Sequence, residues 1–163
     1  SGGSADQGLE EFRSREPMWN AMRYARTFME DNLAFWTMDP HDELVTGESG
    51  DFGGAEVFAR LGDSYAIYLP RATATGTLDL SGHAGEFERR WFNPRTGAFE
   101  GEVDLVMGDA QLALGSPPSD ASQDWVCWVR KRLGIGQDVL GGGGPLDDTP
   151  TGPGLEIDVS DDG

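Results

Sequence analysis

The chain has 163 residues, 37% of them hydrophobic and 25% charged, which is enough apolar material for one domain with a real core. Its formal net charge of −17 excludes nucleic acid and anionic membrane surfaces as partners, because a phosphate backbone must be met by clustered Lys and Arg. No run of about 18 apolar residues could span a bilayer, and SGGSADQG lacks the basic and apolar regions of a signal peptide. Cys127 is the lone cysteine, so no intrachain disulfide can form. On an apolar strand it reads as a small buried hydrophobe, with a reactive thiol as the lesser alternative.

Composition divides the chain into three parts. Residues 1–9 are small, polar and flexible in character. Residues 10–133 carry the apolar patterning of a folded body. From Gly134 onward the sequence turns to glycine, proline and acid: it holds seven acidic groups and no basic one, leaving 22 acidic and 12 basic residues in the rest. Four consecutive glycines cannot build a core, so 134–163 reads as a linker or tail. A calcium loop at 158–162 is the weaker alternative, since the alternating ligands and terminal Glu of such loops are missing.

The body opens with a helix. Ser14 suits the N-cap, and Glu16 and Pro17 suit the first turn. Met18, Met22, Ala25, Phe28, Met29 and Leu33 then recur at spacings of three and four, predicting one buried face over about 15–36. Trp19, Phe35 and Trp36 enlarge that face. Asp39 and Pro40 predict the cap and first residue of a short turn, and 46–54 reads as a loop rich in Gly and acids.

Strands follow at 55–61, 65–69, 73–80, 86–92, 98–107, 111–114 and 124–132. Gly62, Asp63 and Ser64 form a hairpin turn between the first two. The run 98–107 alternates, with Phe99, Val103, Leu105 and Met107 on one face and Glu100, Glu102 and Asp104 on the other. Residues 116–123, SPPSDASQ, must be a loop, because Pro-Pro cannot sit in a central strand. In the last strand Trp125, Cys127 and Val129 face one way, and Val126, Trp128 and Arg130 the other. Bulk on both faces predicts a central strand covered on both sides, with the helix as one cover. The fold class predicted is mainly β: an antiparallel sandwich of about seven to eight strands with an N-terminal helix packed on it. The contacts expected of that helix are Trp19, Met22, Phe28 and Met29, and the core expected includes Trp91, Val103, Leu105, Trp125, Cys127 and Val129.

The segment WFNPRTG (91–97), preceded by YAIYLP and LDLSG and followed by SPPSDASQDWVCWVRK, resembles the collagen-binding domain of bacterial collagenase-like proteins. Residues 22–45 are similar to the last helix, and its exit, of the glycoside-hydrolase-type barrel that precedes this domain in the family. The resemblance covers roughly 21–132. It implies a small β-sandwich at the carboxyl end of a secreted protein, with collagen as ligand and an upstream catalytic barrel as neighbour; a polysaccharide is the other polymer that an accessory module of this kind would bind. The barrel and its carboxylates are not in this sequence.

Few residues suggest chemistry of their own. Asn93, Pro94 and Gly97 are explained by a turn: Pro fixes φ, Asn bonds back to the chain, and Gly takes a left-handed position. Arg95 is left over as a partner contact. Trp91, Phe92, Trp125 and Trp128 suit either a core or a stacking platform. Arg89 and Arg90 beside Glu86 and Glu88 suggest cross-strand ion pairs. His41 and His83 lack partners at zinc spacing, and Ser81 with His83 lacks the turn that exposes a nucleophile. No metal or cofactor is expected. The reading is a non-catalytic accessory module, with Arg95, Arg90, Arg71 and Trp128 as the candidate ligand contacts. The alternative is a C-terminal structural fragment of a glycoside-hydrolase-like enzyme.

Overall fold

The computed structural model describes residues 16–134. The Ser14 cap, the 1–9 stretch and the tail beyond Gly134 lie outside the described residues. The chain divides into two units, Ser1–Arg132 and Leu133–Gly163, and the described helix and strands all belong to the first.

Helix α1 (Glu16–Asn32) leads into a short 3-10 turn and then nine strands: β1 (Asp39–Pro40), β2 (Val45–Glu48), β3 (Glu56–Arg60), β4 (Ser64–Leu69), β5 (Thr75–Asp79), β6 (Glu86–Asn93), β7 (Ala98–Met107), β8 (Gln111–Ala113) and β9 (Trp125–Lys131). They form a six-stranded sheet in the order β1-β3-β4-β9-β6-β7 and a three-stranded sheet in the order β2-β5-β8. Every pairing is antiparallel, so the expected class holds.

The main core fills the space between the sheets. Tyr65, Ile67 and Leu69 of β4, Phe87 and Trp91 of β6, and Trp125, Cys127 and Val129 of β9 meet Val45, Leu78, Leu80 and Leu114 from the smaller sheet and its connections. Trp91 and Trp125 meet edge to face, ring centres 6.3 Å apart. Arg89 also points inward and ties the sheets together, donating to Asp104 Oδ2 at 2.7 Å and to the Ala113 carbonyl at 2.8 Å. A second core lies on the other face of the large sheet, where Phe28 and Leu33 cover Ala66, Phe92 and Trp128. β9 is thus central and covered on both sides, as its two bulky faces predict.

Four expectations need correction. First, α1 does not pack through Trp19, Met22 and Met29, which are 55%, 57% and 36% exposed. Phe28 is its buried residue, with Tyr24 half-buried beside it. The apolar surface of the helix is wider than one stripe. The aromatic stripe finds ring partners on the sheet: Phe28 lies 4.6 Å from Phe92 and 6.2 Å from Trp128. The methionine stripe is left outside.

Second, Val103 and Leu105 are 49% and 55% exposed. β7 is an edge strand bonded to β6 alone, and the ring of Phe99 at its start lies 6.0 Å from Phe28 of α1. Val106, not its neighbours, packs on the main core.

Third, part of the expected loop 46–54 is strand β2, paired with β5 through Val45–Leu78, Thr46–Thr77 and Glu48–Thr75. Gly47 hides this strand from propensity, since it takes φ +79°. Opposite it, Gly76 lies so close that a Cβ there would sit 2.5 Å from the Thr46 carbonyl oxygen.

Fourth, Asp39 and Pro40 do not start a turn. They pair with Ala59 and Phe58 as a short edge strand, a place where proline's missing N–H costs nothing. The turn follows at Asp42–Leu44, and it is Asp42 that accepts a backbone N–H, from Val57 at 2.7 Å.

Candidate functional site

The hairpin at 93–97 is built as its residues dictate. The Asn93 side-chain oxygen accepts from the Arg95 N–H at 3.0 Å, and its carbonyl accepts from Thr96 and Gly97 at 3.2 and 2.8 Å. Gly97 takes φ +76°, and a Cβ on it would fall 2.7 Å from Cγ of Tyr24. The hairpin tip therefore rests against the helix, which is a structural task.

Each candidate contact has a definite place. Arg95 Nη1 lies 2.7 Å from Asp124 Oδ1 and also donates to the Asp124 carbonyl, with its guanidinium 5.0 Å from the buried Trp125 ring. Arg90 stacks on Phe99 at 4.0 Å. Trp128 is 2% exposed, its indole N–H donating to Ser64 Oγ at 3.1 Å. Trp91, Phe92 and Trp125 are equally enclosed in the two cores. A ligand cannot stack on any of these four rings as they stand. Arg71 differs: it lies 3.4 Å from Asp51 Oδ2 and 5.3 Å from the ring of Phe52, which is 78% exposed. The structure therefore does not gather the four candidates into one site. It distributes them over the hairpin clasp, the second core and a loop.

The glutamates of β6 choose partners other than their strand neighbours. Glu86 pairs with Arg132 and Glu88 with Arg130, each at 2.7 Å, while Arg89 takes Asp104. These pairs run from β6 to β7, to β9 and to Arg132 just beyond β9, and partly exposed ones contribute little apiece. Cys127 is fully enclosed, and burial pushes its thiol up to about 12, which leaves no thiolate at neutral pH. His41 Nδ1 lies 2.9 Å from Glu43 Oε1, an interaction that lowers the pKa of the Glu43 carboxyl through their hydrogen bond. Among the described residues no group of three His, Cys, Asp or Glu comes together as a metal site, and no helix is long and apolar enough to cross a membrane.

What the residue pattern missed is an apolar surface. Met18, Trp19, Met22, Met29, Phe35 and Trp36 are all exposed, Trp36 at 74%. Beside them a cleft of about 400 Å³ runs between α1 and strands β3, β4 and β9, lined by Ala25, Met29 and Leu33 on one side and Phe58, Ala66, Tyr68 and Val126 on the other. A shallower hollow formed by Met22, Ala25, Met29 and Phe35 adjoins it, sharing Ala25 and Met29. The surface is thus continuous from helix to sheet. Its signal in the sequence is that α1 carries more large apolar residues than one buried stripe can use.

No family model matches this chain, and no curated protein is significantly similar. Solved structures are similar in fold. A glycoside hydrolase family 5 protein from Bacteroides vulgatus superposes with a TM-score of 0.57 at 19% identity, over 71% of this chain and 24% of that one. A second structure, described as a glycoside hydrolase, gives 0.50 at 19% identity, over 71% of this chain and 25% of that one. At that identity the likeness shows a shared fold, and the chain spans about a quarter of the length of the structures it matches.

Proposed function

We propose that this chain is a non-catalytic β-sandwich module of a secreted, glycoside-hydrolase-like protein, seated against a neighbouring domain of that protein through the outer face of α1. The observation that carries the reading is the exposed apolar row Met18, Met22, Met29, Phe35 and Trp36, continuous with the cleft beside it. Contiguous apolar surface of this kind marks an interface. The similar solved structures support the choice of neighbour, since in them a matching portion makes up about a quarter of a longer glycoside hydrolase.

The finer part of the proposal is that the module contacts an extracellular polymer such as collagen. Its support is the sequence resemblance carried by WFNPRTG and by SPPSDASQDW. The residues of those motifs build a hairpin and its clasp, so they support the fold of that domain more strongly than a ligand.

The test is to divide activity between the chain and its parent. The parent protein should hydrolyse at least one member of a panel of aryl glycosides and polysaccharides, and the chain alone none. Hydrolysis by the chain alone, or a parent reading frame that encodes no neighbouring domain, overturns the reading.

A further inference from the structure

We propose that Phe52 and Arg71 form a stacking site for one sugar ring of a neutral polysaccharide, at the loop between β2 and β3. The loop takes a left-handed backbone four times within five residues: at Gly50, Phe52, Gly53 and Gly54, with φ of +69°, +57°, +103° and +90°. Glycine occupies three of these positions, where the conformation costs it nothing. At the fourth stands a phenylalanine, for which it is unfavourable. The gain is not burial, because the ring is 78% exposed. The loop thus holds a large aromatic in solvent against both its backbone preference and the hydrophobic effect.

One side of that ring is already occupied. The Arg71 guanidinium sits 5.3 Å from the ring centre, and Asp51 lies 3.4 Å from Arg71 Nη1. Both charged side chains are 41% exposed, so a carboxylate acceptor and guanidinium donors flank an accessible ring. A sugar in a chain offers what complements this: an apolar C–H face for the free face of the ring, and hydroxyls that, reaching past the ring edge, donate to Asp51 and accept from Arg71. A protein hot spot has a different form, since it is packed within a rim of neighbours that excludes water. Acidic polysaccharides are disfavoured by the net charge of −17. None of these three residues lines the cleft beside α1, so the site stands independently of the proposed docking face.

The test is affinity electrophoresis of the full chain in gels containing a soluble glucan, xylan, mannan or polygalacturonate, or denatured collagen. Retardation is expected in at least one neutral polysaccharide. Phe52→Ala and Arg71→Ala should each weaken it roughly tenfold, Phe52→Trp should preserve it, and Trp36→Ala should leave it unchanged. Phe52→Gly should abolish retardation while leaving the melting temperature equal or higher, because it relieves the backbone; loss of retardation in a variant that stays folded separates binding from stability. No retardation in any neutral polysaccharide, retardation that survives Phe52→Gly, or retardation by denatured collagen alone overturns the proposal.

Discussion

Arg95 and Asp124 are 29 residues apart in sequence, and their side chains meet at 2.7 Å. The pair joins the two motifs on which the sequence resemblance rests, since Arg95 belongs to WFNPRTG and Asp124 to the segment SPPSDASQDW. Beneath them the Trp125 ring is fully buried. The two motifs are one structural unit: a hairpin tip clasped to the start of the central strand.

This pair should be measurable as stability. Its side chains are 32% and 28% exposed, so screening trims it, while the added bond from Arg95 to the Asp124 carbonyl raises the cost of its loss. Arg95→Ala should destabilise the chain by about 1–2 kcal/mol in urea denaturation. A double-mutant cycle with Asp124→Ala should return a coupling of roughly 0.5–1 kcal/mol. Arg95→Ala without any loss of stability would contradict a structural role for the clasp.

Core and edge should separate sharply on substitution. Trp125→Ala removes a side chain of 0% exposure and should cost about 3–5 kcal/mol, a large share of the stability of any domain. Leu105→Ala, on the exposed edge strand, should cost no more than about 0.5 kcal/mol. Equal costs at the two positions would contradict the assignment of β7 as an uncovered edge.

The same contrast holds on the helix. Phe28→Ala should cost about 3–5 kcal/mol, because its ring fills the second core. Met22→Ser should change the stability of the chain by no more than about 0.5 kcal/mol. The chain's melting temperature reports both.

Cys127 supplies a prediction in pH. Burial raises its thiol from 9.0 to about 12, so between these values the unfolded chain releases a proton that the folded chain keeps. Stability contributed by the neutral thiol is present below pH 9 and declines above it, as the unfolded state gains by ionising. Denaturation midpoints of the wild type should fall more steeply between pH 9 and 11 than those of Cys127→Ala. In the native chain at pH 8 iodoacetamide should leave the thiol unmodified, and should label it rapidly in 6 M guanidinium.

The sequence made β9 legible because both of its faces carry large apolar residues, so its central place follows from counting faces. The hairpin at Asn93 was legible for a similar reason, since each turn residue has a distinct conformational role. Helical periodicity, by contrast, cannot choose between two apolar stripes. Tyr24 and Phe28 lie roughly a third of a turn round α1 from Met22 and Met29, and only the rings waiting on β6 and β9 decide which goes inside. β2 was hidden because Gly47 reads as a breaker, although the close approach of Gly76 makes it part of a sheet. Phe52 was not singled out because a lone aromatic among glycines has no period. Its exposure and its stacking on Arg71 exist only in three dimensions.

If the outer face of α1 seats a neighbouring domain, the two tryptophans exposed there are covered in the parent protein, and their oxidation reports it. The chain has five tryptophans. Trp91, Trp125 and Trp128 are enclosed, whereas Trp19 and Trp36 are 55% and 74% exposed. Limited treatment with N-bromosuccinimide, read by peptide mass spectrometry, should oxidise Trp19 and Trp36 in the isolated chain. In the intact parent protein Trp36, and with it Trp19, should be protected. Oxidation of both at the same rate in the chain and in the parent would show that this face is free and seats no domain.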